Sequence, residues 1–287
     1  MKIIQMAFLL IALCISFVAS AASETASRGK VLVVMSSGHL LKLKDGTDYS
    51  TGYYLNELAT PLAALIKAGY SPVFANPNGD RPFMDASSND DKFFNNSKSQ
   101  RMDALRLVDS LDGLKHPHKL SDIVTDINDY VGVFVPGGHA PMIDLTTDKS
   151  LGTILKSFHD RGLPTALICH GPMALLSTLP EADKFNKALM SGDSGSSTRF
   201  AGDWPYAGYR MAIFSKAEEK EIEQPQLGGE APYYNDEAIT AAGAKVINKA
   251  SWQPNVVEDR ELITAQQPFS AQLFSEAFIA KLNSTKK

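Results

Sequence analysis

Cysteine is almost absent from this 287-residue chain, which has only Cys14 and Cys169. Cys14 falls in an apolar N-terminal stretch, so a disulfide framework is excluded as a source of stability. Basic clusters are missing too. The 28 Lys and Arg are scattered among 32 Asp and Glu, the formal net charge is −4, and no electrostatic footprint for nucleic acid is present. The chain has no internal repeat, no low-complexity tract and no histidine after His170. What it does have is 44% apolar and 21% charged residues, enough to build a sizeable core.

The opening MKIIQMAFLLIALCISFVASAAS carries Lys2, an apolar run over 3–18 and Ala19-Ser20-Ala21 as a small-x-small cleavage site. It is expected to be a cleavable secretory signal peptide over 1–21, which places the protein outside the cell or in the periplasm. A membrane anchor needs about 20 apolar residues and a charged stop, and the stretch offers neither. No anchor is expected after cleavage. Leu13 before Cys14 argues against a lipoprotein site. Cys169 is then the one remaining thiol.

From 28 to 283 the chain reads as one α/β domain. Short apolar runs of strand length recur at 31–35, 72–75, 131–138, 165–169, 210–214 and 245–247. Between them lie amphipathic patterns. Leu58, Leu62 and Leu65 end at Gly69; Leu151, Ile154, Leu155 and Phe158 end at Gly162 and Pro164; Leu273, Phe274, Ala277 and Phe278 share the last face. This alternation predicts a mostly parallel central sheet between helices. Two polar stretches, 80–129 and 186–209, interrupt the rhythm and read as irregular insertions of lid or binding-loop type.

Cys169 ends the run TALIC, and CHGP follows as an abrupt turn into a helical pattern. A lone cysteine is commonly an inert buried filler. Here the layout is that of a nucleophile elbow at the carboxyl end of a parallel strand, which is where such sheets bind ligands. A thiol pointed at solvent beside a helix N-terminus is expected to have a lowered pKa. Gly137-Gly138, directly after an apolar strand, reads as a strand-end turn when taken alone. Beside an elbow, it reads as a source of backbone N–H groups for an oxyanion, with the His170 N–H as second donor. Glu57, among Leu55, Leu58 and Leu62, is either a partly buried acid/base or a solvated helix-start residue. His116-Pro117-His118 is expected to be a solvated loop without a third metal ligand, and Asp85 and Asp144 are expected to anchor loops. Asn95 and Asn283 head N-glycosylation patterns.

With these residues in view, the chain resembles the PfpI-type protease and deglycase superfamily, relatives of class I glutamine amidotransferases. Within it the chain is most similar to the heat-shock-chaperone-like branch with glyoxalase III activity. The resemblance spans 29–282 and rests on TGYYLNELATPL, PGGHAPMIDL, ALICHGPMALL, FSKAEEKEIE and EDRELITAQQPFSAQLF. It implies a flavodoxin-like three-layer sandwich with cap insertions. It makes Cys169 the nucleophile, His170 its neighbour in the site and Glu57 the proton-transfer residue. Glu219, or Glu218 one position earlier, completes a Cys-His-acid set. His139 is implied to contact substrate and Gly138 to hold the oxyanion.

The chain departs from the family pattern at Ala140 and Ala265, both glycine in relatives, and in its longer second insertion. Glutamine amidotransfer of this fold needs a His-x-Glu pair downstream of the cysteine, and none exists. Adjacency of His170 to Cys169 is expected to turn the two side chains apart, which ranks peptidase chemistry below aldehyde chemistry. The resemblance then implies conversion of methylglyoxal or another 2-oxoaldehyde to a hydroxy acid, or deglycation of amines and proteins, with no metal or other cofactor. It also implies a homodimer. A stress-related holdase chaperone, a cysteine peptidase and a redox-sensing thiol remain alternatives.

Overall fold

Residues 31–35 contain no polar side chain, a pattern that needs cover on both faces of a strand. In the computed structural model, which describes residues 27–285, they lie in and just after β1 (Lys30–Val34). Leu32 and Val34 enter one core; Val31 and Val33 enter another on the opposite side. The signal peptide expected over 1–21 lies outside the described residues.

Further strands follow as β2 (Leu40–Lys42), β3 (Asp48–Ser50), β4 (Ser71–Asn76), β5 (His118–Lys119) and β6 (Tyr130–Val135). After them come β7 (Thr165–Ile168), β8 (Arg210–Met211), β9 (Lys245–Val246), β10 (Val256–Asp259) and β11 (Leu262–Ala265). Seven build one sheet in the order β10-β11-β7-β6-β1-β4-β5. Each of its pairings is parallel except β10 with β11. Helices Leu55–Lys67, Lys98–Ser110 and Ala271–Thr285 cover one face. Helix Lys149–Asp160 and the 3₁₀ segment Gly171–Thr178 cover the other. The result is the expected three-layer, flavodoxin-like α/β sandwich.

Several local expectations are corrected. The runs 210–214 and 245–247 do not join the central sheet; β8 and β9 pair with each other as a separate two-stranded ladder. Beyond Met211 the amides of Ala212 and Ile213 donate to the side chains of Thr264 and Asn248. Side-chain acceptors thus replace a strand partner. The sheet edge is taken instead by β10 and β11, whose charged turn Asp259-Arg260 hides their strand character in the sequence. In the last helix Phe274 and Phe278 carry the buried face, while Leu273 is half exposed.

The first polar stretch is largely helical. Ser97 caps helix Lys98–Ser110 by accepting from the Gln100 amide, and that helix buries only Ala104 and Val108, so its polarity marks an exposed face. The second holds helix Ser194–Phe200, after which the Trp204 indole N–H donates to the Leu175 carbonyl and Thr178 hydroxyl. This insertion is pinned beneath the segment that follows β7. Asp85 and Asp144 anchor loops as expected: Asp85 accepts from Tyr49, Thr51 and Ser87, and Asp144 from Ser36, Ser37 and Gly38.

Helix Lys149–Asp160 buries Leu151, Ile154, Leu155 and Phe158 and brings Gly152 against the segment Gly171–Thr178. A Cβ at Gly152 would stand 2.3 Å from the Ser177 carbonyl oxygen. Gly152→Ala must therefore push the helix away from the segment that carries the elbow. It should cost about 1–3 kcal/mol, as overpacking does, seen as a lower urea midpoint. An unchanged midpoint would show that the two elements slide apart freely.

Candidate active site

Cys169 follows β7 directly. Its φ is +62°, a left-handed conformation that is uncommon for a side chain with a Cβ. The turn is held on both sides: the Cys169 amide donates to the Ala265 carbonyl at 2.8 Å, and its carbonyl accepts from the Phe214 amide at 3.1 Å. One consequence overturns an expectation. His170 does not turn away from Cys169: its Nδ1 lies 3.2 Å from Sγ, because the left-handed turn sets both side chains on the same side.

The other face of His170 is also engaged, with Nε2 3.1 Å from Glu219 Oε2. Glu219 Oε1 lies 2.7 Å from Nε2 of His139. All three groups are buried. The placement falls on Glu219 and not on Glu218, whose carboxylate closes a capping box with Ser215 and accepts from Trp252 and Gln266. An ionised Glu219 receives an N–H from each imidazole. His170 Nδ1 is then unprotonated and faces the thiol as an acceptor.

Burial works against charge at all these groups, and their neighbours decide the outcome. Burial alone disfavours an imidazolium at His139, but the charge and hydrogen bond of Glu219 outweigh it and hold the pKa above the usual value. At His170 burial, joined by the neighbouring His139 ring at 4.1 Å, wins over Glu219 and lowers the pKa to about 4. Glu219 is also penalised by burial, yet the two histidines hold its carboxyl well below the usual range. The arrangement is a neutral base at His170 beside a hydrogen-bonded pair in which Glu219 favours the imidazolium of His139 and the histidines favour the Glu219 carboxylate.

Glu57 sits in the first turn of helix Leu55–Lys67 and is fully buried. It reaches the sulfur through Gly137, where a Cβ would stand 2.4 Å from Glu57 Oε2 and 2.5 Å from Cys169 Cβ. Only glycine leaves room for both. Burial raises the Glu57 pKa to about 8; the Cys169 side chain and Gly137 amide pull it back without forming hydrogen bonds of normal geometry. The carboxyl therefore carries a proton at neutral pH.

The expectation of an exposed, acidified thiol is corrected. Cys169 is 3% exposed, and burial followed by the nearby Glu57 charge pushes its pKa well up, with the Gly138 N–H a smaller opposing influence. Desolvation outweighs any helix dipole here, and the element that follows is a 3₁₀ segment, not an α-helix. The thiol must be activated by proton transfer rather than standing as a thiolate.

Gly138, His139, Cys169 and His170 line the floor of a cavity of about 350 Å³, with Glu57 and Glu219 buried behind them. Its walls come from Tyr54, Phe93, Phe214, Trp252 and Phe269, with Lys92 and Gln226 as polar wall residues. Sequence reasoning missed the aromatic wall, since each ring reads as core in its own segment. The first insertion contributes Lys92 and Phe93; among the described residues, none of 186–209 lines the cavity. A larger groove of about 610 Å³ beside Phe83 and Leu105 is lined by no Cys, His, Ser or Glu. His118 lies exposed at the sheet edge in β5, remote from these groups. His139, His170 and Glu219 place ligand atoms within 4.8 Å of one another, as a metal site would, but both carboxylate oxygens already bond to imidazole nitrogens.

Residues 49–197 match the family described as ThiJ/PfpI family-like. The protein/nucleic acid deglycase HchA of Pseudomonas aeruginosa is 25% identical over 250 residues, covering 84% of this chain and 77% of that protein. Its Escherichia coli O157:H7 counterpart is 28% identical over 254 residues with the same coverage. The crystal structure of glyoxalase III from Candida albicans superposes with a TM-score of 0.61 at 22% identity, over 88% of this chain and 97% of that one, a likeness of fold.

The Glu57 carboxyl has a pH signature. Its folded pKa of about 8 exceeds the ordinary 4.5, so the folded state binds the extra proton and its relative stabilisation is complete below pH 4.5. That contribution is lost as pH rises towards 8, by an amount on the order of 4 kcal/mol. Glu57→Gln should raise the melting temperature at pH 8 relative to wild type and leave the two alike near pH 4.5. Parallel melting profiles across that range would show that Glu57 does not titrate in the folded protein.

Proposed function

The chain belongs to the ThiJ/PfpI-like family, and on that footing we propose that it is a carbonyl-processing enzyme of the glyoxalase III and deglycase type. It converts a 2-oxoaldehyde such as methylglyoxal to the 2-hydroxy acid, and through the same thiol adduct it releases early glycation products from amines. The observation that carries this reading is that Cys169 and a neutral His170 line one apolar cavity, with a protonated Glu57 buried beside the thiol. The deglycase relatives support it.

In this mechanism His170 Nδ1 takes the thiol proton as Sγ adds to the aldehyde carbon, and Glu57 gives its proton to the aldehyde oxygen. The Gly138 N–H faces the developing charge. The Glu57 carboxylate then removes the proton on C1, forming an enediol, and returns it to C2. This leaves a thioester, which water cleaves to the hydroxy acid and free thiol. Methylglyoxal and one water thus give lactate. A carboxyl with a pKa of about 8 can hold and release a proton at working pH, as both halves of the cycle require. His170, backed by Glu219, serves the hydrolytic step by activating water.

The Cys169, His170 and Glu219 distances also favour a second reading, a thiol peptidase, because they have the order nucleophile, base and orienting acid. The cavity of about 350 Å³ fits a compact carbonyl compound better than an extended peptide.

Purified protein should consume methylglyoxal and yield lactate, and Cys169→Ala should stop it. Glu57→Gln, which lacks both the proton donor of the addition and the shuttle of the next step, should lower kcat by about 10²-fold or more. Absence of methylglyoxal loss from wild-type protein overturns the proposal, and casein cleavage abolished by His170→Ala would install the second reading.

A further inference from the structure

The cavity is larger and more aromatic than a three-carbon aldehyde needs. Pockets of a few hundred Å³ ordinarily enclose much larger ligands, and this one measures about 350 Å³. Its rings form a continuous train from the rim to the base. Phe93 packs on Phe269 at 5.6 Å, Phe269 on Trp252 at 6.4 Å, Trp252 on Phe214 at 5.9 Å, and Phe214 stacks on the His170 imidazole at 4.8 Å. Both contacts of Trp252 are edge-on, with Phe269 at 88° and with Phe214 at 66°, so ring faces are left available to a further aromatic group.

Trp252 is held in place by more than packing. Its φ is +64°, a conformation that a bulky aromatic residue rarely adopts and that persists only where the surroundings enforce it. Its amide donates to Glu218 Oε1 at 2.9 Å, and its indole N–H to Glu221 Oε2 at 2.5 Å. Both acceptors belong to the short helix Lys216–Ile222, which also supplies Glu219 to His170. One element therefore fixes the ring wall and the base together.

We propose that the carbonyl substrate bears an aromatic substituent, so that the substrate class is the aryl 2-oxoaldehydes and related aryl carbonyl compounds, with Trp252 and Phe269 as specificity-determining residues. This rests on the cavity being the carbonyl site described above. The chemistry is unchanged and balances. The thiol adds across the aldehyde, hydrogen passes from C1 to C2 through the enediol, and water cleaves the thioester. ArCOCHO and H₂O thus give ArCH(OH)COOH with no external oxidant. The aryl ring lies against the wall formed by Trp252 and Phe269 while the carbonyl carbon meets Sγ.

The test separates binding from turnover. In Cys169→Ala protein, calorimetric titration should show acetophenone binding at least about tenfold tighter than acetone, the scale on which apolar pockets discriminate. Adding Phe269→Ala, a substitution at the partly exposed rim, should reduce that ratio threefold or more. Trp252→Gly, which tolerates the positive φ, should do the same. In wild-type protein kcat/KM for phenylglyoxal should exceed that for methylglyoxal by a similar factor. Equal affinities for the two ketones, or a preference that survives both substitutions, overturns the inference. Selective acetophenone binding with turnover of neither aldehyde would uphold the aromatic site and remove the glyoxalase chemistry.

Discussion

The left-handed turn at Cys169 is the constraint on which the site depends. A non-glycine residue in that conformation costs on the order of 1–3 kcal/mol, and here the cost is offset by the ladder bond to Ala265 and the bond from Phe214. Those contacts come from two segments far along the chain from β7. The elbow is therefore not a local motif that would form in isolation; it exists because the β11 edge and the 212–214 segment close upon it. From the same turn follow the approach of His170 to the sulfur and the depth of the thiol below the protein surface.

Burial then does the electrostatic work. Four titratable side chains in contact with one another or with the sulfur are all removed from water, and each would be neutral if alone. Pairing shifts the balance: at Glu219 and His139 each partner favours the charged form of the other, while burial keeps His170 and Glu57 neutral. A neutral base and a neutral acid on either side of a thiol suit chemistry in which protons move without net charge entering the cavity. The aromatic train strengthens this by keeping the walls apolar, which raises the strength of every interaction inside.

Much of this was legible in the residues. The apolar run at β1 and the amphipathic repeats between strands announced a parallel sheet between helices. CHGP after TALIC announced the elbow, and the motif resemblance pointed to Glu57, His139 and Glu219. The lower-contrast elements were misread for physical reasons. Residues 210–214 have the composition of a strand, but the Ala212 and Ile213 amides donate to the Thr264 and Asn248 side chains instead of to a neighbouring strand. The helix at 98–110 looks irregular because its buried face is narrow, with only Ala104 and Val108 fully covered. The His170 orientation was misjudged because adjacency in sequence says nothing about a positive φ.

The sequence by itself determined the fold class and the chemical groups, because hydrophobic periodicity and the types of side chain at strand ends are local properties of the chain. Only the tertiary structure decided protonation, reach and the shape of the cavity. Glu57 is an acid with a pKa of about 8 because burial surrounds it, and Cys169 is a buried thiol rather than an exposed thiolate for the same reason. Phe93, Phe214, Trp252 and Phe269 become one wall only when segments distant in the chain fold together. Desolvation and cross-chain contact are properties of the folded molecule, and no spacing of residues encodes them in advance.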